Sequence, residues 1–371
     1  MIVNSHNGWD PLEEVIVGDG FPTTLPTLDF SFRLFFHDNI YGKEFHHGDA
    51  HRYITKRHVV EHQEDVEKLA ELLKSLDIIV RRSKRPTHIH KTKTPWWDST
   101  IYPALNVRDQ CLIVGDTIIE TPPTCRWRYY ENDFIKHLFL EYFKKGAKWI
   151  QAPKPLMLDS SFDLSYVNEE TGAKEYYNVI KDDKPHYMDM GHEIMFDGAN
   201  CIRLGKHIII NASNENQRLG AKWLQQAVGS DYVVWPVEIC DNHLDSTLLP
   251  LRPGLALVPQ YGANIHAIPK LPKQMQNWDF VFIPERKQTR AQREHQDIKL
   301  ASPRIELNVL SVSPNLIICH PEYEQILSQQ LKKYNIDVIS TPMRHCEVFG
   351  GAHHCSTLDI RRKSTLENYF D

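Results

Sequence analysis

The chain has 371 residues, 41% hydrophobic and 25% charged, with a formal net charge of −5 and no long basic block; these are the proportions of an ordinary globular protein and argue against nucleic acid or an anionic membrane as main partner. No run approaches the ~20 apolar residues that span a bilayer, and the opening MIVNSHNGWDPLEE lacks a basic stretch followed by an apolar one, so neither a membrane span nor a signal peptide is expected. Seven cysteines lie scattered without C-x-x-C pairs; the odd number leaves at least one thiol without an intrachain partner, and a reduced, cytoplasmic setting is the default expectation.

From the N-terminus onward one shape recurs. EEVIVG reads as a strand and is followed by an insertion over residues 19–55, the helical VVEHQEDVEKLAELLKSLD and the strand IIVRRS. CLIVGDTIIE (residues 111–120) then sets two short β-prone runs around a glycine, as a hairpin requires. In the following YYENDFIKHLFLEYFKKG, the residues Phe134, Ile135, Leu138, Phe139 and Phe143 fall at helical spacing. Gly146 is placed to end that helix, and AKWIQAP reads as the next strand. A second insertion covers residues 155–195. The pattern returns as CIRLGKHIII, QRLGAKWLQQAVG and YVVWPVEI. The fourth copy is the weakest, with LLPLRPGLALV, only LPKQMQNW as a helix, and DFVFIP. LNVLSVSPNLIIC, EYEQILSQQLKKYN and DVISTP make the fifth.

Length alone would suggest two or three domains, but repeat-built folds stay single at this size. Five hairpin–helix–strand units in succession imply one closed α/β ring over residues 1–371, in which each small sheet packs on its neighbours. Ordinary α/β layering with coincidental hairpins is the alternative. The two insertions suit loops over one face of the ring, where sites usually lie.

The C-terminal stretch EVFGGAHHCSTLDIRRKSTLENYFD carries the most chemistry. Gly350 and Gly351 permit a sharp turn, and Cys355 follows with His353 and His354 beside it. A cysteine in such surroundings fits an activated thiolate; the bland reading is a buried structural thiol, which suits Cys111, Cys201 and Cys319 in their apolar runs. A thiolate nucleophile needs a base, and the base an orienting carboxylate. His243 lies in CDNHLDST with Asp245 two residues on, so in an extended segment both side chains share a face. Asp197 and Asp109 each precede a hairpin, in MFDGANCIRLG and LNVRDQCLIVG. Equivalent positions in a ring converge on its axis, so these distant residues can line one cavity. Against this, each Asp could simply cap a turn, and His243 is one of 20 histidines.

Seven words run nearly end to end: NGWDPLEEVIVG, NVRDxxLIVGDTIIE, FDGAN with IRLG, RLGAKWLQ, HLDSTLLPLRPG, ELNVL and GGAHHCSTLDIRRKSTLENY. In combination they resemble the arginine amidinotransferases, a family that includes glycine amidinotransferase, the inosamine-phosphate enzymes of aminoglycoside pathways and relatives in toxin biosynthesis. The resemblance implies the five-bladed, pseudo-symmetric α/β propeller of ββαβ modules found in the guanidine-modifying (pentein-type) superfamily, in agreement with the module count. It makes Cys355 the nucleophile, His243 the general acid/base and Asp197 its orienting partner, with Asp109 and Asp245 as the grip on a guanidinium and Ser302 as a further substrate contact. The implied reaction moves the amidino group of L-arginine onto an amine acceptor through an amidino-cysteine intermediate. Ornithine is released and the kinetics are ping-pong. L-arginine and the amine are the expected partners, and a homodimer is compatible with the family. These residue types suit the task, because paired carboxylates hold a planar cation through bidentate hydrogen bonds.

Departures from the family bear on the substrates. The arginine that anchors the donor carboxylate in glycine amidinotransferase aligns with Gly262, and the paired serines before ELNVL read Ala301 and Ser302. Arg252 and Arg304 are alternative anchors. The methionine before the catalytic histidine is Asn242, and the third glycine of the cysteine loop is Ala352. These changes point to an acceptor other than glycine, in natural-product biosynthesis. FHHGDAHRY (residues 45–53) and THIHK (residues 87–91) repeat no recognised ligand spacing, so neither metal nor cofactor is expected. Trp96 and Trp97 read as core or rim packing, and Arg361 and Arg362 as structural ion pairs. Two rivals remain: a hydrolase of the arginine deiminase or dimethylargininase type, with water as acceptor, and a non-catalytic ligand-binding propeller. HLDST and HCSTLDIRR favour the transferases over the first, and the intact set of Cys355, His243 and Asp197 argues against the second.

Overall fold

The computed structural model describes residues 1–19, 31–32, 34, 55–88, 90–165, 186–240, 243–260, 267–284, 306–346 and 348–370. In chain order its strands and α-helices begin with β1 (Leu12–Val17), α1 (Lys56–Ser75), β2 (Ile79–Arg82), β3 (Lys91–Lys93), β4 (Asp98–Thr100), β5 (Cys111–Val114), β6 (Thr117–Glu120), α2 (Lys136–Lys144) and β7 (Lys148–Gln151). They continue with β8 (Cys201–Leu204), β9 (His207–Asn211), α3 (Glu215–Val228), β10 (Val233–Val237), β11 (Leu249–Arg252), β12 (Leu255–Pro259) and β13 (Asp279–Ile283). The last are β14 (Leu310–Ser313), β15 (Leu316–Cys319), α4 (Pro321–Leu331), β16 (Asp337–Ser340) and β17 (Thr357–Arg362).

Five three-stranded sheets share one plan, an antiparallel pair with a third strand parallel to the middle one. In β5–β6–β7, for example, Cys111 faces Glu120 across the hairpin, while Thr117 runs alongside Lys148. A parallel third strand requires a crossover, and α1, α2, α3 and α4 supply it in four of the sheets. Capping and burial explain why these segments are helical. Thr55 accepts from the His58 amide at the start of α1, whose buried Val59, Val66, Leu69 and Leu73 recur at helical spacing. Asn214 caps α3 in the same way. Gly146 follows α2 with φ +97°, a left-handed turn open to glycine.

Two expectations are corrected, and a partner is found for the first strand. The segment LPKQMQNW forms no α-helix: after a 3-10 turn at Ile268–Lys270, it is held by i to i+3 bonds such as Met275 N to Pro272 O at 2.8 Å. Pro269 and Pro272 each remove a backbone donor, and the remaining stretch is too short to nucleate a stable helix. In the second unit Phe134 belongs to a 3-10 turn before α2 and Phe143 is 55% exposed; Leu138, Phe139 and Tyr142 form the buried face. The first strand, which had no evident hairpin mate, pairs antiparallel with β17 from the far end of the chain, Val17 opposite Thr357.

The apolar core is divided among the joints between sheets. One cluster packs Ile16 and Leu358 against Ile113, Ile118 and Phe139. Another packs Leu112 and Ile119 against Ile208 and Ile210. Ile202 and Ile209 meet Ala256 and Val258, and Leu249 and Leu257 meet Ile317 and Leu327. Leu310 and Ile318 then meet Val15, Val17 and Leu69, which returns the contact to the first sheet. Each such side chain contributes about 1.5–3 kcal/mol on burial. No helix among the described residues is long and apolar enough to cross a membrane.

Candidate active site

The segments that enter one strand of each antiparallel pair converge. Asp109 lies two residues ahead of β5, Asn308 two ahead of β14, and Cys355 two ahead of β17. Asp197 caps the 3-10 turn Gly198–Asn200 that runs into β8, and His243 caps the 3-10 turn Leu244–Ser246 ahead of β11. His243 and Asp245 therefore do not sit in an extended segment, as their two-residue spacing suggested. The turn carries Asp245 toward the cysteine loop, where its Oδ2 accepts from His354 Nδ1 at 2.7 Å.

His243 Nε2 lies 2.9 Å from Asp197 Oδ2. The same fully buried carboxylate accepts from Gln110 Nε2 at 3.0 Å, the Thr124 amide at 3.2 Å and the Thr124 hydroxyl at 3.1 Å. Burial pushes the Asp197 carboxyl up, but the His243 bond and the Arg128 charge outweigh it and hold the group below its ordinary value. For His243 burial acts downward, yet Asp109, Asp197 and Asp245 together raise the imidazole to about 8. The pair thus favours an imidazolium near neutral pH. Turn-capping and orientation of the histidine are not exclusive here, since the Asp197 amide also donates to Asn200 Oδ1 at 2.8 Å.

Asp109 is buried, and its two oxygens differ. Oδ2 accepts from Arg128 Nη1 at 2.8 Å, and Arg128 is gripped in turn by both oxygens of Glu131, at 2.6 and 3.1 Å. Oδ1 is buried with no partner. Burial raises the Asp109 carboxyl, Asp245 adds to this, and Arg128 and His243 only partly compensate. A buried carboxylate oxygen without a donor is costly unless a ligand supplies one. Asp245, by contrast, is held below its ordinary value: burial opposes ionisation, but His354, His243 and Arg108 outweigh it.

Cys355 is buried, and its Sγ accepts from Asn308 Nδ2 at 2.9 Å. Its backbone position is set by close packing. Gly350 has φ +74°, and a Cβ on Gly351 would stand 2.6 Å from both Cys355 Cβ and Asn106 Oδ1. The thiolate expected of this cysteine is one assisted by His243 and by a bound cationic substrate. Burial first, then the charges of Asp109 and Asp245, drive the thiol well above its ordinary value, against the weaker help of Asn308 and Arg108.

The structure brings Cys355, His243, Asp197, Asp109 and Asp245 into one network of contacts and charges. Ser302, Gly262, Ala301, Arg304 and Asn242 lie outside the described residues, as does residues 45–53. Arg252 stands over the Tyr334 ring at 5.9 Å, on β11, and Ala352 is buried in the loop. The rings of His88 and His90 lie 4.1 Å apart, tilted by 41°, and no group of three or more His, Cys, Asp or Glu among the described residues could hold a metal. Trp97 is buried and donates to Leu156 O at 2.8 Å. Arg361 pairs with Glu13 and Glu14, and Arg362 with Asp359. Sequence reasoning missed Arg128, Glu131, Gln110, Thr124 and Asn308. Only Asn308 had a usable signal, its place two residues ahead of a hairpin. A cavity of about 40 Å³ is lined by Arg108, Asp245 and His354 together with Ile113, Arg203, Pro250, Ser311 and Leu358, so that all five sheets contribute to its wall.

No family model matches the chain. Individual relatives do. Inosamine-phosphate amidinotransferase 1 of Streptomyces griseus is 34% identical over 370 residues, 97% of each chain. The solved structure of the Streptomyces griseus inosamine-phosphate amidinotransferase superposes with a TM-score of 0.81, covering 100% of this chain and 99% of that one at 32% identity. The L-arginine:L-lysine amidinotransferase of Pseudomonas savastanoi pv. phaseolicola is 31% identical over 378 residues, 99% of this chain and 96% of its own. An amidinotransferase of the saxitoxin biosynthetic pathway from Microseira wollei, 29% identical, matches all of both chains with a TM-score of 0.79.

Proposed function

Since the chain belongs to the amidinotransferase family, we propose that it moves the amidino group of L-arginine onto an amine acceptor through a covalent amidino-Cys355 intermediate. The observation that carries this reading is the partnerless Oδ1 of Asp109 beside a Cys355 thiol that burial, Asp109 and Asp245 push up. A guanidinium bound between Asp109 and Asp245 would donate to that oxygen and neutralise the two charges that hold the thiol up. Thiolate would then form as the cation arrives, with the thiol proton passing to solvent. Sulfur attacks the amidino carbon, the C–S bond forms, and His243, an imidazolium up to about pH 8, gives its proton to the departing nitrogen as the C–N bond breaks. Because Nε2 faces Asp197, that proton passes through Nδ1. Ornithine leaves. In the second half the neutral His243 takes a proton from the acceptor amine as it attacks the same carbon, and the C–S bond breaks to return thiolate.

The fold that supports this is read as a single five-bladed α/β propeller over residues 1–371. The circle of apolar joints and the cavity walled by all five sheets support it. Ser302 is kept as a proposed substrate contact. Relatives named for inosamine phosphate, L-lysine and the saxitoxin pathway, together with Gly262 and Asn242, support a non-glycine acceptor in natural-product biosynthesis. A cytoplasmic setting is kept as part of this proposal.

Incubation with arginine and no acceptor should release one ornithine per chain and add one amidino group to the peptide of residues 351–361. Cys355→Ala should do neither while keeping its fold. Citrulline as the product would reveal a hydrolase, and ornithine release by Cys355→Ala would remove the nucleophile assignment.

A further inference from the structure

We infer that Asn308 is a catalytic residue of this site, the neutral donor that holds the Cys355 sulfur as an anion both when it attacks and when it leaves. The inference rests on the amidino-transfer reading above. Its first support is geometric. Asn308 Oδ1 accepts two consecutive backbone amides, His354 N at 2.7 Å and Cys355 N at 3.1 Å. An amide oxygen so engaged fixes which end of the side chain is which, and the NH₂ end must face Sγ, 2.9 Å away. Sulfur accepts weakly as a thiol and far better as a thiolate, so a donor aimed at it selectively favours the anion.

The second support is positional. Asn308 stands two residues ahead of its hairpin, as Asp109 and Cys355 stand ahead of theirs. The fifth sheet therefore contributes to the site from the same place in its module as the others. The third is electrostatic. Asp109 and Asp245 both oppose a thiolate, and Arg108, which favours it, is tied to His354 O and Asp359. A lysine or arginine in place of Asn308 would favour thiolate more strongly but would repel the guanidinium the site is built to receive. An amide donor supports the sulfur at no such cost in charge.

Two measurements on Asn308→Ala and Asn308→Asp test the role. The first is the rate of Cys355 alkylation by iodoacetamide at a fixed pH below the thiol's own, read by mass on the Cys355 peptide. Loss of the donor should slow it roughly 10- to 100-fold, the equivalent of one charge-assisted hydrogen bond. A merely structural Asn308 gives the opposite sign, because a loosened loop exposes the buried thiol and alkylation speeds up. The second is ornithine release, where kcat should fall by a similar factor while KM for arginine stays within about threefold. Asn308→Asp keeps the acceptor oxygen for the two backbone amides, so it serves if Asn308→Ala does not fold, and its slowing should be the larger. Unchanged or faster alkylation in Asn308→Asp overturns the inference. Wild-type protein that releases no ornithine from arginine overturns the activity reading, while the alkylation result still reads the thiol.

Discussion

Two buried groups of charge sit close together in this fold, and they are finished to different degrees. At Asp359, Arg108 meets Oδ1 at 2.9 Å, while Arg203 and Arg362 each reach Oδ2 at 2.7 Å and the Ser5 hydroxyl donates at 3.0 Å. The outer ends of these guanidiniums donate to the main-chain oxygens of His354, Ile113, Asp10 and Ser311. Burial would raise the Asp359 carboxyl, but the three arginines hold it well below its ordinary value. Around Cys355 the balance is left incomplete. The Asp109 carboxyl is pushed up, and Asp109 and Asp245 add to the burial that drives the thiol beside them up as well. The contrast is one of charge: Asp359 Oδ1 and Asp109 Oδ1 both lack a hydrogen-bond donor, but three arginines surround Asp359, whereas Asp109 and Asp245 set a surplus of negative charge beside the thiol, which a cation from outside would offset.

The largest expected effect breaks the scaffold cluster. Asp359→Asn leaves three buried guanidiniums without their anion. Breaking a buried pair in this way costs roughly 3–5 kcal/mol, a large share of the ~5–15 kcal/mol that holds a domain together. Urea denaturation should show a much lower midpoint, or no folded protein at all. An unchanged midpoint would mean that the three arginines find other partners and that the cluster is not what ties the sheets together.

The next effect runs the other way. Asp109→Asn removes a charge that burial already disfavours, so its urea midpoint should stay close to wild type. Its kcat/KM for arginine should fall about 10- to 100-fold, the worth of one charge-assisted bond to the guanidinium. Full activity with reduced stability would reverse the comparison and make Asp109 a partner of Arg128 only.

Much of this was legible in the sequence, and the exceptions have physical reasons. Each hairpin announces itself through a glycine or proline between β-prone runs, as at Gly115 and Gly205, both with positive φ. The pairing of β1 with β17 joins residues more than 300 positions apart, and no local pattern records it. Cys355, His243 and Asp197 were assigned through the family resemblance, since a structural thiol, one of 20 histidines and a turn-capping carboxylate remained open readings of the residues alone. Asn308, in the apolar ELNVL, is marked in the sequence only by its place two residues ahead of a hairpin, and its bonds to Cys355 are legible only in the fold. Arg128 and Glu131 neutralise each other in the interior, whereas in sequence two charges read as surface. The upward push on the Cys355 thiol has a similar origin: its own loop suggests activation, and the opposing carboxylates come from other sheets.

The smallest effect concerns the Asp197–His243 pair, and its sign is set by the two shifts. The folded imidazole titrates at about 8, above its ordinary 6.5. Its contribution to stability is therefore fully present below the unfolded value and is lost as pH rises through the folded one. The Asp197 carboxyl is lowered from 3.8, so its contribution is present above that value and fades as pH falls through the lowered one. Both hold between about pH 4 and 6.5, and the pair weakens toward pH 8 and beyond. Asp197→Asn should accordingly lower Tm more at about pH 6 than at about pH 9. In single-turnover ornithine release the losses from Asp197→Asn and His243→Asn should be far from additive, because either change disables the same proton donor. An equal fall in Tm at both pH values, with multiplicative kinetic losses, would mean that Asp197 serves Thr124 and Gln110 and leaves the histidine to act alone.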